Sequence, residues 1–250
     1  MTKTLLSLAL AAALPAHAAL TSAGDLTFTS FNADEHGFAM VALADIAPNT
    51  KVYFTDNEWS GTAFNGGESY SSWLSGAGTI AAGTVIRFSK VDSATLLAAS
   101  VGSFAREAVS GSTNWGISTS EDTIYAYLGT SATAPTLFLS AVTTGTFGTA
   151  TAGSLANTGL STGNGAIKLS TGSDYAEYNG VRTDQASFAD YKPLVSNVAN
   201  WNDLGTSADG TNLAPNTTAF AVTAVPEPQT YALMLSGLIA VGFMARRRRG

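Results

Sequence analysis

Oxygen-bearing side chains gathered in three short stretches are the residues of this sequence best suited to do chemistry. The stretches are 32–36, 56–58 with Glu68 ten residues later, and 118–122. Calcium takes six to eight oxygen ligands, many of them from carboxylates and carbonyls on loops. These residue types predict a calcium site whose ligands would be Asp34, Asp56 and Glu58. The spacing is not that of an EF-hand, and Asp and Asn also begin turns by bonding their own backbone, so both interpretations stay open.

The same residues permit two catalytic interpretations. Glycoside hydrolysis needs two facing carboxylates, and the sequence offers several pairs without showing which are close in space: Asp56, Glu58, Glu68, Glu121 and Asp122. A serine triad would need His36 as its base, and no Gly-x-Ser-x-Gly nucleophile elbow is present. We therefore predict a protein that is not an enzyme. A secreted, metal-assisted hydrolase acting on polysaccharide or phosphoester is the alternative.

Aromatic residues near the second acidic stretch suggest a further kind of site. Trp and Tyr on loops can stack on sugar rings while their polar edges form hydrogen bonds. Trp59 follows the acidic turn directly and is the ligand-stacking candidate. The competing interpretation places Trp59 and the other aromatic residues in a buried core.

The composition excludes several classes of function. The 250 residues contain no Cys, 12 Lys and Arg, and 18 Asp and Glu. Without Cys there is no disulfide framework, thiol nucleophile or cysteine metal site. Setting aside Lys3, Arg246–Arg249 and Glu227 leaves seven basic and 17 acidic residues, a net charge near −10 for the middle of the chain. Such an acidic domain argues against nucleic acid as a partner.

Short segments of strand-forming residues separated by Gly, Asn and Pro turns dominate the middle of the chain. Period-two alternation is typical of strands, and many short strands with such turns favour a sandwich. The predicted strands are 26–31, 38–43, 51–55, 84–89, 123–128, 136–142, 166–170 and 218–223. Short helices are predicted at 93–100 and 187–201, the second interrupted at Pro193, and 143–163 is predicted to be a long loop that contains at most one strand. The fold class is all-β, a mostly antiparallel β-sandwich.

One five-residue sequence pattern, which we call the formula, occurs three times. Ile46-Ala-Pro-Asn-Thr, Ile80-Ala-Ala-Gly-Thr and Leu213-Ala-Pro-Asn-Thr each precede a predicted strand. The spacing between copies is irregular, which excludes a solenoid repeat. We interpret the formula as a repeated turn that leads into a strand.

Residues 1–18 have the three parts of a secretory signal peptide. Lys3 is the positive charge, Leu5 to Leu14 is apolar, and Pro15 is followed by Ala16-His17-Ala18. The small residues Ala16 and Ala18 predict cleavage after Ala18 and therefore export.

The C-terminal segment has a second three-part pattern. Pro226-Glu227-Pro228 is followed by the apolar run 231–245 and by Arg246, Arg247, Arg248 and Arg249. A helix over this run would be about 22 Å long, which is short against a hydrocarbon core of about 30 Å. Flanking residues would extend it to a single, marginal membrane helix. The arginines would stay on the cytoplasmic side, with the folded domain outside the inner membrane.

This C-terminal segment resembles the PEP-CTERM sorting signal of Gram-negative bacteria, through Pro226-Glu227-Pro228, the short apolar segment and the basic tail. The resemblance implies recognition by an exosortase, a membrane protease-transpeptidase, in bacteria that make exopolysaccharide. It also implies transient retention in the inner membrane, followed by sorting to the cell envelope or extracellular matrix. An ordinary tail anchor is the alternative.

Residues 25–205 resemble a bacterial surface module related to lamin-tail-like immunoglobulin sandwiches. The stretches that carry this resemblance are 28–34, 38–46, 52–59, 118–127 and 200–201. The resemblance implies a surface-exposed β domain with no established activity.

The predicted organisation is a signal peptide at 1–18, a β-sandwich at 19–224 and a sorting segment at 225–250. The predicted function is that of an exported, non-enzymatic envelope or matrix protein, sorted by an exosortase-type system and associated with exopolysaccharide. No cofactor is predicted apart from the possible calcium ion. A calcium-stabilised adhesive module is the third interpretation.

Overall fold

The computed structural model describes residues 19–223, 233–239 and 246, and residues 19–223 form a two-sheet β-sandwich. Thirteen strands and one short α-helix are present in this part of the chain. The strands are β1 (Leu26–Asn32), β2 (Gly37–Ala42), β3 (Lys51–Thr55), β4 (Tyr70–Leu74), β5 (Val85–Ser89), β6 (Ala98–Ala99), β7 (Ser103–Arg106), β8 (Thr123–Ser131), β9 (Ala134–Thr143), β10 (Ser161–Thr162), β11 (Gly165–Lys168), β12 (Tyr175–Tyr178) and β13 (Trp201–Asp203). The helix is α1 (Tyr191–Val195). The predicted all-β fold class is confirmed.

The two sheets differ in how their strands are paired. Sheet 1 has the order β13-β12-β1-β2-β5-β6 and is antiparallel throughout. Sheet 2 has the order β10-β11-β9-β8-β3-β4-β7, with β10, β11 and β9 paired in parallel and the other neighbours antiparallel. The edge strands of each sheet are short, which limits the length of exposed edge that could pair with another chain.

Two apolar clusters stabilise the sandwich. The larger cluster lies between the sheets and contains Phe38, Phe54 and Phe88, whose ring centroids are 4.8–5.2 Å apart. The smaller cluster lies on the outer face of sheet 2 and contains Tyr53 and Tyr127. Because successive side chains of a strand point to opposite faces, neighbouring residues 53 and 54 reach different clusters.

Register defines two ends of the sandwich. At one end, Leu26 pairs with Ala42, and Val41 pairs with Val85. Ile46 and Ile80, which precede β3 and β5, pair with each other there and so join the two sheets. We call this the exit end, because both ends of the folded domain lie there. We call the opposite end the acidic end. It is formed by the end of β1, the start of β2, the end of β3 and the start of β8.

Two of the three formula copies form the same turn. Asn49 and Gly83 have φ of 57° and 91°, and Thr50 and Thr84 each donate a hydroxyl hydrogen bond of 2.7 Å to the alanine carbonyl three residues earlier. Asn and Gly are the residues that best tolerate positive φ. The copies lead into strands of opposite sheets. The third copy leads into no strand.

The structure corrects two local predictions and confirms a third. Residues 93–100 form turns and β6 instead of a helix, and 218–223 contain a single bridge between Val222 and Gln185 instead of a strand. The interrupted helix at 187–201 is confirmed as α1 flanked by 3₁₀ turns at Phe188–Asp190 and Val198–Asn200. Pro193 lies in the first turn of α1, where its missing N–H costs no hydrogen bond.

The predicted signal peptide at 1–18 lies outside the described residues, as does most of the helix predicted at 231–245. Residues 233–239 are helical and exposed. Within the described ranges, no helix combines the length and apolar character needed to cross a bilayer.

Candidate functional site

Asp56 directly follows Thr55, the last residue of β3, at the acidic end. Its Oδ1 accepts hydrogen bonds from the Ser69 amide at 2.8 Å and the Ser69 hydroxyl at 2.7 Å. Asn57, which is fully buried, accepts a hydrogen bond from the Glu68 amide at 3.1 Å. The loop 56–69 is therefore closed by its own polar residues. Burial raises the pKa of Asp56 to about 6, because the charged form loses water contacts.

Asp122 lies immediately before β8 and is also buried. Its Oδ2 accepts from the Ser118 amide and its Oδ1 accepts from the Thr123 amide, both at 2.7 Å. Burial, and next the charge of Asp56, hold the pKa of Asp122 well above its ordinary value. Both carboxylates thus support the local backbone.

Glu68 is the accessible member of the group and is half-buried. Burial, followed by the charges of Asp56 and Glu58, raises the pKa of Glu68 to about 7. A side-chain hydrogen bond from Asn114 acts in the opposite direction. Every charge recorded as acting on Asp56, Glu68 or Asp122 in the described part of the chain is another carboxylate. The acidic end is therefore a site of like-charge repulsion.

The segment 107–122, which we call the cover, packs beside this group of carboxylates. The Thr113 hydroxyl donates to the Gly67 carbonyl at 3.1 Å, and the Ile117 amide donates to Nδ1 of His36 at 2.9 Å. His36 therefore serves as a hydrogen-bond acceptor for the segment 107–122. A catalytic triad through His36 has no support in this geometry.

A small cavity lies under the cover. Its volume is about 20 Å³, and its walls include Phe38, Phe54, Asp56, Ser69 and Ile117. That volume accommodates about one water molecule, whereas ligand pockets usually measure about 300 Å³ or more. A sugar ring does not fit in this cavity.

The three predicted calcium ligands do not meet. Asp34 Oδ2 accepts from the Gly210 amide at 2.6 Å, and the acidic neighbour near it is Asp174. Asp56 and Glu58 instead share their surroundings with Glu68 and Asp122. Among the described residues, no three Asp, Glu or His side chains are arranged to hold a metal ion. Asp34 is thus turned towards Gly210 and Asp174, and the predicted grouping of Asp34 with Asp56 is not formed among the described residues.

The prediction that Trp59 presents an exposed ring is also wrong. Trp59 is only 6% exposed, and its indole N–H donates to the Ala156 carbonyl at 2.8 Å. Phe64 and Phe138 contact it edge to face, with centroid distances of 4.9 and 5.1 Å. Trp59 is a core residue of the outer cluster, because the loop that carries it folds back over sheet 2. Trp115 is the more accessible indole and packs under the Arg106 guanidinium at 4.2 Å.

The comparisons with known proteins concern the other end of the chain. The model of the PEP-CTERM protein-sorting motif matches residues 224–249. This motif contains Pro226, Glu227, Pro228 and the arginines, so the recognition made from the sequence is confirmed for this segment. No curated protein and no solved structure matches the chain. The two-sheet fold is consistent with the lamin-tail-like resemblance of the middle, which the family comparison does not confirm.

The chain is therefore a β-sandwich that carries a PEP-CTERM sorting motif immediately after its last described residue in the domain, Thr223. That motif marks an exported precursor processed at the membrane by an exosortase.

Proposed function

We propose that the chain is a non-enzymatic structural protein of the cell envelope or extracellular matrix, delivered there by an exosortase-type protease and associated with exopolysaccharide. The observation that carries the proposal is the sorting motif at 224–249, which follows one folded domain directly. The domain supports a structural role, because its cavity takes about one water molecule and its buried carboxylates bind their own backbone.

Mass spectrometry of the protein from its native host tests the sorting step. The wild-type chain should begin at Ala19 and lack the apolar run 231–245 and the arginines. Replacing both Pro226 and Pro228 by Ala should leave the tail attached, whereas Pro48→Ala, in an exposed turn, should not affect processing. Release of the tail from the double variant at the wild-type rate would contradict the proposal.

Association with exopolysaccharide has a separate test. The mature protein should sediment with the extracellular matrix and become soluble when the matrix polysaccharide is depolymerised enzymatically. A protein that stays in the culture medium, whether or not matrix is present, would leave the sorting proposal standing and refute the matrix association.

Calcium stabilisation is the second candidate, favoured by the repulsion among Asp56, Glu68 and Asp122. A divalent cation near these carboxylates would relieve that repulsion. Differential scanning calorimetry at pH 7.5 should then show a melting temperature that rises with millimolar calcium and falls with EDTA. Magnesium at the same ionic strength is the control, and a melting temperature insensitive to both treatments would remove this candidate.

A further inference from the structure

We propose that the exit end is the face that the domain turns to the membrane surface, with the acidic end pointing away from the bilayer. This inference rests on the proposed function, because it assumes that the apolar run 231–245 holds the precursor in the membrane. The partner of the exit end is the lipid surface in which the apolar run 231–245 of the same chain is inserted.

The last part of the domain is fastened to the exit end. Residues 209–223, which we call the strap, run from the acidic end to the exit end along sheet 1. Asn32 donates to the Gly210 carbonyl at 2.8 Å at the start of the strap, and Glu177 accepts from the Asn216 amide at 3.0 Å midway. At the exit end, the Thr223 amide donates to the Gln185 carbonyl at 2.9 Å.

Phe220 is the apolar anchor of the strap. It is buried, stacks on Tyr178 at 5.7 Å and contacts Tyr191 edge to face at 5.0 Å. Its amide donates to the Gly83 carbonyl at 2.8 Å, and the Arg182 guanidinium lies 4.9 Å from its ring centroid. The strap therefore leaves the domain from a fixed point.

The first residues of the domain are fastened beside the last ones. The Thr21 and Ser22 amides donate to Asp25 at 2.7 and 2.8 Å, and Lys192 pairs with the same carboxylate. The adjacent residue Tyr191 donates its hydroxyl hydrogen bond to the Ala221 carbonyl. Two consecutive residues of α1 thus hold the two ends of the domain, one each.

The length of chain beyond the strap limits how far the domain can stand from the bilayer. Seven residues, 224–230, separate Thr223 from Tyr231, the start of the apolar run, so eight Cα–Cα steps join the two. Fully extended, they reach about 29 Å at most, since a residue spans no more than about 3.6 Å. The radius of gyration of a domain of this size is about 17 Å. A sphere with this radius of gyration is about 44 Å across, which is longer than the tether, so the domain cannot turn its acidic end to the bilayer.

Three valines are among the side chains exposed at the exit end. Val181, Val198 and Val222 are 55%, 41% and 36% exposed. They lie, in turn, just after β12, in the 3₁₀ turn before β13 and next to the end of the strap. The acidic end presents the half-buried Glu58 and Glu68 and the exposed Glu121, which anionic lipid would repel, although the exit end also exposes Asp184 and Asp190.

Because the chain has no Cys, a single introduced Cys can be labelled selectively at either end. Ala189→Cys labels the exit end and Thr119→Cys labels the acidic end, and both positions are exposed. The chain from Ala19 to Gly250, carrying one fluorophore, is inserted into phosphatidylethanolamine–phosphatidylglycerol vesicles with nitroxide-labelled headgroups. We expect quenching several-fold stronger at position 189 than at position 119.

Two further measurements make the outcome decisive. A flexible Gly-Ser spacer inserted after Thr223 should bring the two quenching values together, whereas the same spacer inserted after Gly66, in an exposed turn, should not. Equal quenching at both positions without a spacer, or stronger quenching at 119, would overturn the orientation. A chain that fails to float with vesicles would overturn the membrane-held precursor itself, together with this inference. Melting curves of both labelled variants verify that the domain is folded.

Discussion

At the scale of single residues, the buried carboxylates of the acidic end set the response of the domain to pH. The pKa values of Asp56 and Glu68 rise to about 6 and about 7, from ordinary values of 3.8 and 4.5, chiefly through burial. The folded state therefore binds more protons than the unfolded state between about pH 4 and pH 7. The contribution of these groups to stability is complete at acid pH and is lost as the pH rises through this window.

We expect the free energy of unfolding to decrease from about pH 5 to pH 7.5. Asp25 and Asp203 have lowered pKa values despite burial, since they accept several hydrogen bonds, and they act in the opposite direction only as the pH falls towards 4. Urea unfolding at several pH values measures the effect. A free energy that rises towards neutral pH would contradict the assignment of raised pKa values to the acidic end.

Asp56→Asn should raise stability at neutral pH by roughly 1 kcal/mol, because one pKa unit corresponds to about 1.4 kcal/mol and coupling reduces the gain. The Asn carbonyl oxygen can still accept both hydrogen bonds from Ser69. Asp92→Asn is the matched control, since Asp92 is exposed, and it should change stability by less than about 0.5 kcal/mol. The two variants are compared by urea unfolding at pH 7.5 and at pH 5, where the gain from Asp56→Asn should shrink.

Two tryptophans give a second prediction at this scale. Trp59→Ala should cost about 3–5 kcal/mol, because it leaves a cavity against Phe64 and Phe138 and removes the bond to the Ala156 carbonyl. Trp115→Ala removes a partly exposed ring and should cost about 1 kcal/mol or less. Similar losses for the two variants in chemical unfolding would contradict the assignment of Trp59 to the core.

At the scale of elements, sequence patterns identified the strands whose partners are close along the chain or whose residues alternate clearly. The strands predicted within a few residues are β1, β2, β3, β5, β8, β9 and β11. β4, β7 and β12 were missed because Ser-Ser, Ala and Glu positions weaken their apolar pattern, and pairing with a neighbouring strand completes them. The sequence also gave no sign that 218–223 would be held by Phe220 and Arg182 instead of by a ladder.

The acidic end shows the same limit of prediction from local sequence patterns. Residue types and spacing identified each acidic stretch, but β-sheet pairing decides which stretches meet. β3 pairs directly with β8, and this pairing brings Asp56 towards Asp122. Asp34 instead accepts a hydrogen bond from the Gly210 amide and has Asp174 as its acidic neighbour. A pattern within one segment contains no information on such long-range register.

Gly83→Ala tests the repeated turn. An added Cβ would come within 2.2 Å of the Phe220 carbonyl oxygen, and φ of 91° is strained for any residue with a side chain. We expect a loss of more than about 2 kcal/mol in chemical unfolding. Gly76 is the matched control, because its φ of 93° is similar and no atom lies within 4 Å of its added Cβ. Gly76→Ala should therefore cost only the conformational term, about 1 kcal/mol.

At the scale of the whole molecule, the sandwich places the ends of the domain and the titrating carboxylates at opposite ends. The exit end holds both ends of the folded domain, and the sorting motif at 224–249 therefore follows the domain at this end. The acidic end holds the titrating carboxylates and the small cavity. The strap connects the two, since Asn32 and Asp34 hold its first residues and Gly83 and Gln185 hold its last. Release of the strap at the exit end would therefore lengthen the tether without unfolding either sheet.

Phe220→Ala is expected to cause that release. The variant removes the ring that packs between Tyr178, Tyr191 and Arg182, whereas the backbone bonds of residues 211–219 are few and exposed. Replacing a buried Phe by Ala costs about 3 kcal/mol or more. This is a large part of the free energy that holds a short peripheral segment in place. Native-state hydrogen exchange should show faster exchange at the amides of 220, 221 and 223, with β1, β8 and β9 unchanged. Val222→Ala, which alters an exposed residue of the same segment, should leave those amides protected. Uniformly faster exchange throughout both sheets would show that Phe220 supports the whole core and that the strap does not move as a separate unit.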